Sequence, residues 1–412
     1  MNGFSDRPAC ASSGAAVTTA SAGAATAVAH ALRRAPAGLP CGAPAAPPPL
    51  RPAVVPLKGR GTSWRIASRH AERTTEPFDD GWGSLDGQQA AEEETLPPAT
   101  QLVEQRARTI LAANDSPDIP FDLSINPYRG CEHGCVYCFA RPTHGWLDLS
   151  PGLDFETRIV AKVNAAERLR AAFARPGYVP KRLNLGSATD AYQPAERRLR
   201  ITRGVIEVLA ECSHAFSLVT KSAGVERDID LLAPLAARRL VAVYVSLTTL
   251  DPALARTLEP RAPSPQRRLR TIETLAAAGV PVGVSVSPLI PFVNEGEIER
   301  LLAAARAAGA RSAFGTVLRL PGEVAPLFER WLAERFPDRA ARVMARVRDL
   351  HGGKPYDARH GLRMTGAGVW ARLLAQRFDN ARERFGYDRE PVRLDLTQFR
   401  PPAGDGRQRS LF

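Results

Sequence analysis

The sequence predicts an α/β protein built on a parallel sheet. Six times in succession a short apolar run is followed by a segment of helical periodicity, the pattern of repeated βα units. Runs such as V-A-V-Y-V at 241–245 are apolar throughout, as burial on both faces of a sheet requires. Gly279 and Gly309 fall just after helical segments, where a left-handed cap wants glycine. Such a series can close partway into a barrel or lie open as a doubly wound sheet. No G-x-G-x-x-G follows any strand, so a dinucleotide-binding sheet has no support, and a partial (βα)6 barrel fits better.

The units run in order from Phe121 to Leu320. A strand at 121–125 leads into a cysteine-bearing loop, and Phe155 to Arg175 has helical periodicity. Strands are expected at 181–187, 215–221, 240–248, 281–288 and 311–320. Helices are expected at 196–212, 226–239, 265–278 and 296–308 between them. Beyond the barrel, 321–390 is a helical region with helices at 324–335, 339–350 and 367–385, which should cover the open edge of the sheet. Residues 391–412 read as a flexible, Arg-rich tail.

Ahead of the barrel, residues 1–57 are Ala, Pro, Ser and Gly with almost no acidic residues. That composition buries too little apolar surface to offset chain entropy, so it reads as a disordered tail or an upstream start-codon artefact. An acid-poor, Arg-containing leader also fits a transit peptide, although its prolines oppose an amphipathic helix. Cys10 and Cys41 fall there. Residues 58–120 form a strap anchored by Trp64, Phe78 and Trp82 and packed on the neighbouring domain. Within it, Gln101 to Ala113 reads as a short helix.

The chain has 412 residues and a formal charge of +12. Its basic residues are arginine except for Lys58, Lys162, Lys181, Lys221 and Lys354. With abundant alanine, this is the composition of a GC-rich genome, so charge by itself is weak support for a polyanionic partner such as DNA. The candidate basic surface would be Arg197, Arg198, Arg200 and Arg203 with Arg261, Arg267, Arg268 and Arg270. No window has the eighteen or so consecutive apolar residues of a membrane span. The cysteines are grouped as for a metal, not spread as for disulfides, which points to a reducing, cytoplasmic setting.

Cys131, Cys135 and Cys138 form a C-x3-C-x2-C array within N-P-Y-R-G-C-E-H-G-C-V-Y-C-F-A-R-P-T-H, residues 126–144. Gly130 and Gly134 let the loop fold back on itself. Soft sulfur donors select zinc or iron–sulfur clusters. A cubane normally takes four cysteines, so three leave one iron open to a small molecule. His133 and His144 could instead complete a Cys3His zinc site, although structural zinc ligands more often come as two pairs from separate loops. The runner-up reading is therefore a nucleic-acid-binding protein with a structural metal loop.

Functional groups of parallel barrels gather at the carboxyl ends of the strands. Here those ends carry Ser187, Thr189, Asp190, Tyr192 and Gln193, then Thr220, Lys221 and Ser222, then Ser246, Thr248 and Thr249, then Ser285 and Ser287, and last Arg319. Serine and threonine also cap helices, but five strand ends tipped in step suit a polar, zwitterionic ligand. A lone lysine at 221, in a chain that uses arginine nearly everywhere, suggests a compact charge for a carboxylate.

The cysteine array, with Tyr137 before its last thiol, resembles the signature of the radical S-adenosylmethionine (radical SAM) superfamily. The resemblance implies a partial TIM-type barrel and a 4Fe-4S cluster held by the three cysteines. It also implies S-adenosylmethionine chelated at the open iron by its amino and carboxylate groups. An electron from a donor such as flavodoxin or ferredoxin would release methionine and a 5′-deoxyadenosyl radical, which takes hydrogen from a substrate. Tyr137 would lie against the adenine. The further stretches L-G-S-A-T-D-A-Y-Q-P, L-V-T-K-S, T-L-E-P-R and V-S-P-L-I-P resemble a group related to spore photoproduct lyase and often labelled DNA repair photolyase. The likeness runs from about Lys58 to Tyr387. By similarity to the lyase, Thr189, Lys221 and Ser246 contact the cofactor, and Ser285 joins them as the next strand end. A lyase-like reaction on a DNA photoproduct would follow, with Asp190 and Tyr192 as the reacting side chains. One departure counts against it: the lyase's hydrogen-donating cysteine has its match at Ala188.

Overall fold

A computed structural model describes residues 59–70, 99–390 and 392–402 of the chain, all within the compact unit Val54–Phe412. The expected tail at 1–57, the anchors Phe78 and Trp82, and the last ten residues lie outside the described residues.

Among the described residues there are ten strands. They are β1 (Gln101–Gln105), β2 (Leu111–Ala113), β3 (Leu123–Ile125), β4 (Tyr128–Arg129), β5 (Arg158–Lys162), β6 (Leu183–Leu185), β7 (Phe216–Thr220), β8 (Val241–Ser246), β9 (Val282–Leu289) and β10 (Ser312–Val317). The main sheet has the order β2-β3-β6-β7-β8-β9-β10. From β3 to β10 every pairing is parallel and follows chain order, and β2 adds an antiparallel edge. Among the described residues no strand joins β2 to β10, so the six parallel strands form an open series, as the sequence predicts.

Alternation along the strands sorts the two faces. Val241, Val243, Val245, Val282, Val284 and Val286 pack with Leu232, Leu235, Ile272 and Leu275 of the surrounding helices in one core. The intervening residues (Ser217, Tyr244, Ser246, Gly283, Ser285, Ser312 and Phe314) face the other way, because successive side chains of a strand point to opposite faces.

Most of the expected units are present with trimmed ends. The helices at 324–335 and 265–277 match their expected bounds to within a residue. Four regions differ. Gln101 to Ala113 is not a helix: β1 pairs with β5 and β2 pairs with β3. Its Gln, Leu, Glu and Arg residues are good helix formers, but pairing decided the outcome. The expected helix at 155–175 is interrupted by β5, where Ile159 and Val160 are buried, and the helix proper is Ala165–Phe173. A helix at Pro252–Leu258 had not been anticipated, although its start carries ordinary signals. Asp251 caps it by accepting a hydrogen bond from the Ala253 amide at 2.7 Å, and Pro252 takes the first turn. The tail expected to be loose from 391 is docked over 392–402. Phe399 packs edge-on against Phe173 and His214, and the Arg400 amide donates to the Cys212 carbonyl at 2.8 Å.

A later helix braces the sheet, and an earlier strap braces the cysteine loop. The helix Gly368–Arg384 lies over β10 and the helix Ile298–Ala307, with Phe378 against Gly315 and Arg377 forked onto Glu299. The strap at 59–70 crosses the cysteine loop. The Trp64 carbonyl accepts from the Leu153 amide at 3.0 Å, and the Arg69 amide donates to Glu323 at 2.8 Å.

Candidate active site

The cysteine loop is held from three sides. Beneath it, Arg141 is fully buried and donates to the carbonyls of Cys135 (2.9 Å), Gly134 (3.2 Å) and Gly152 (2.9 Å), and to Glu156 at 2.6 Å. At Gly134 (φ +67°) a Cβ would stand 2.6 Å from a Glu156 carboxylate oxygen, so the tight return of the loop requires glycine there.

The second side is the end of β6. Thr189 donates to the Gly130 carbonyl at 2.7 Å, and Gln193 accepts from the Glu132 amide at 2.9 Å. Asp190 accepts from the Thr220 hydroxyl (2.7 Å), the Lys221 amide (2.8 Å) and the Tyr192 amide (2.9 Å), and its Oδ2 lies 3.3 Å from Nδ1 of His133. Burial works against the Asp190 charge, but His133 and these donors hold its carboxyl well below the usual range.

The third side is the segment after Pro252–Leu258. The Val136 amide donates to the Leu258 carbonyl at 3.1 Å, and Arg261 lies 3.2 Å from Glu132. Glu259 is 1% exposed and gathers Tyr137, Thr248 (2.6 Å) and Arg268, with the Lys221 ammonium at 3.9 Å. Burial again opposes the charge, but Arg268 and Lys221 with the two hydroxyls bring the Glu259 carboxyl down to about 2. The same ammonium lies 5.8 Å from the centre of the Tyr137 ring.

Register places the expected ligand groups in one layer. Thr220 pairs with Val245, so Lys221 stands next to Ser246; Ser246 pairs with Ser285, and Ser285 with Phe314. Lys221, Ser246 and Ser285 thus run side by side on the face away from the helices, with Thr189 and Tyr137 above them on the loop clamp. Ser287 accepts from the Thr316 amide at 3.1 Å one layer further along.

Asp190 and Tyr192, expected to react, are engaged elsewhere. Asp190 has both oxygens occupied. Tyr192 is 3% exposed, and its hydroxyl donates to Asp228 at 2.9 Å, a carboxylate also paired with Arg203 and Arg227. Sequence reasoning missed Glu259 and Arg141, and gave Arg268 to a basic surface where the fold turns it inward onto Glu259. A lone acidic residue 122 positions from Tyr137 means nothing until the chain folds, although T-L-E-P-R was a visible signal.

Cys131 and Cys135 are buried, Cys138 is partly exposed, and none is in a disulfide. Burial pushes the Cys135 thiol up to about 12 and the Cys131 thiol well above its usual value. These two thiols become thiolates readily only when a metal takes their protons' place, which fits them as cluster ligands. Zinc fits less well. A structural zinc would need a fourth ligand beside the three thiols, and both candidate histidines are held elsewhere. His133 faces Asp190, and Nε2 of His144 lies 2.9 Å from the Arg158 carbonyl.

Half of the expected basic surface is neutralised. Arg203, Arg261, Arg267 and Arg268 pair with Asp228 and Asp230, Glu132, Glu226 and Glu259. No helix among the described residues is long and apolar enough to cross a membrane.

Residues 125–305 match the radical SAM superfamily. An uncharacterised protein of Mycobacterium tuberculosis is 40% identical over 240 residues, covering 58% of this chain and 69% of its own. An uncharacterised protein of Methanocaldococcus jannaschii is 27% identical over 167 residues, covering 40% of this chain and 60% of its own. Among solved structures, a mutant of spore photoproduct lyase is 18% identical with a TM-score of 0.49, covering 69% of this chain and 80% of that one.

Proposed function

Because the chain belongs to the radical SAM superfamily, whose members use a 4Fe-4S cluster and S-adenosylmethionine, we propose that Cys131, Cys135 and Cys138 hold the cluster and that Lys221, Ser246 and Ser285 seat the cofactor's methionine end. With both groups bound, one-electron reduction supplies methionine and a 5′-deoxyadenosyl radical that takes hydrogen from a substrate. The observation that supports this best is the trio of thiols, two of them buried, on a loop clamped by Arg141, Asp190 and Glu259 beside that layer.

The chain's own residues divide the work. The Lys221 ammonium offers a point charge to a carboxylate. Burial opposes its charge, but the neighbouring Cys135 and Glu259 keep it protonated. Thr189 and Gln193 hold the Gly130 carbonyl and so fix where the first thiol begins. Tyr137, anchored on Glu259, presents its peptide and ring to the adenine. Asp190 is an ionised acceptor and serves to position the loop and the β7 end. Tyr192 ties the end of β6 to Asp228. An external carrier, such as a flavodoxin or ferredoxin, supplies the electron.

A lyase acting on a DNA photoproduct is the finer reading, and Ala188 bears on it. This residue packs beside Cys131, Ala140 and Phe155 with no sulfur to return a hydrogen. Cys212, the remaining described thiol, is buried in the main core beneath Phe399 and Arg400. We therefore assign the chain radical initiation on a substrate whose hydrogen is not restored by a cysteine among the described residues.

Anaerobic purification tests the reading. A brown protein with about four irons per chain, which forms 5′-deoxyadenosine when given dithionite and S-adenosylmethionine, is expected. Cys135→Ala should lose both colour and product. Colourless or zinc-bearing wild-type protein, or a Cys135→Ala variant that kept both properties, would overturn it.

A further inference from the structure

The segment after β10 carries Arg319, a cation the preceding assignments leave unused. Its guanidinium carbon lies 4.3 Å from the centre of the Phe139 ring, on the residue that follows the thiol of Cys138. Other interior arginines have carboxylate partners: Arg141 has Glu156, Arg268 has Glu259, Arg227 has Asp228, and Arg363 has Asp118. Arg319 has none among the described residues, and its only contact of that kind is the Phe139 ring. Its titratable neighbours are Tyr356, Arg363, Cys138 and Asp118, and Asp118 is already taken by Arg363 at 2.8 Å. The Tyr356 hydroxyl likewise has no hydrogen-bond partner among the described residues.

A half-buried cation without a counter-charge is costly to keep, and a ligand can provide that charge. Stacking on Phe139 fixes the plane of the guanidinium and leaves its edge able to take two oxygens at once. Phe139 is itself 46% exposed, so this wall is open to solvent. We propose that Arg319, with the Tyr356 hydroxyl, binds an oxyanion of the substrate, a phosphoryl or a carboxylate group, and fixes that substrate beside Cys138. The assignment rests on the radical reading above for the chemistry that follows binding, and adds that the substrate is an organic anion.

Calorimetric titration of the anaerobically reconstituted protein, saturated with S-adenosylmethionine, tests it. The probes are phenyl phosphate, benzoate and the neutral control benzyl alcohol. At least one anion should bind and the alcohol should not; which anion binds tighter tells phosphoryl from carboxylate. Arg319→Gln should weaken the preferred anion tenfold or more, Arg319→Lys less, and Tyr356→Phe a few-fold. Should Arg319→Gln not fold, the Lys and Phe variants carry the same comparison. Wild-type protein that makes 5′-deoxyadenosine but binds neither anion would overturn this assignment alone; protein that makes none would overturn the radical reading. An Arg319→Gln variant that shifts the cluster's midpoint potential, or weakens S-adenosylmethionine, while anion affinity is unchanged would reassign Arg319 to balancing thiolate or cofactor charge and defeat the proposal.

Discussion

Glu259 shows how one buried charge can organise a site. The carboxylate accepts from Tyr137 on the cysteine loop, from Thr248 beyond β8, and from Arg268 on the next helix, while Lys221 from the end of β7 stands 3.9 Å away. Taking such a group out of water is repaid only when every oxygen finds a donor, and here each does. Glu259→Gln should therefore lower stability by about 3–5 kcal/mol, because Arg268, 1% exposed, is left without its partner. In urea titrations the double variant Glu259→Gln/Arg268→Met should cost clearly less than the sum of the two singles. Glu383→Gln on the exposed pair with Arg389 should change stability by less than about 0.5 kcal/mol. Additive costs at Glu259 and Arg268 would mean that the pair contributes no more than a surface bridge.

At the level of elements, what could be read from the sequence follows from where burial is decided. The strands β7 to β10 were legible because each is apolar enough to declare itself without knowledge of its neighbours. The three thiols were legible for a similar reason, since they lie within eight residues of one another. The strands β1 and β5 were not. β1 is mostly exposed and rich in helix formers, and only its pairing with β5 makes it a strand. Glu259 and Arg141 escaped notice because their partners are brought together by the fold. The docking of 392–402 was hidden too, because Phe399 meets Phe173, Tyr178 and His214, which lie more than 180 positions earlier in the chain. That cluster makes its own prediction. Nδ1 of His214 lies 2.9 Å from the Ala215 carbonyl and so donates to it, which leaves Nε2 to accept from the Tyr178 hydroxyl at 2.9 Å. Burial holds the His214 imidazole neutral, down to about 4. Between an unfolded value near 6.5 and about 4, the unfolded chain takes up a proton that the folded one refuses, so stability falls as pH drops through that window. The loss should reach about 3 kcal/mol near pH 4. His214→Phe should remove one proton from the pH dependence of the urea midpoint between pH 7 and 4; parallel wild-type and variant curves would show that His214 titrates in the fold as it does in water.

For the molecule as a whole, an open series of parallel strands has a problem that a closed barrel does not: its last strand offers unpaired backbone to any passing chain. Here the C-terminal region answers it. The Val317 amide of β10 donates to the Met364 carbonyl at 3.0 Å, and the helix Gly368–Arg384 lays Ala371, Leu374, Phe378 and Ala381 into the same core as the strands. Phe378 meets Gly315 of β10, a position where a side chain would collide with its ring. The edge that carries Phe314, and the Arg319 segment beyond it, is therefore held in place by residues more than forty positions later. Phe378→Ala should cost about 3–5 kcal/mol through the cavity it leaves, while Leu373→Ala, on the same helix but 42% exposed, should cost less than about 0.5 kcal/mol. A chain ended after Thr365 loses the helix altogether. It should leave the β10 edge open and associate through it, eluting on size exclusion as concentration-dependent oligomers where the full chain does not. If the shortened chain instead kept the full chain's oligomeric state and urea midpoint, the C-terminal helix would be ornament, and some other element would have to shield β10.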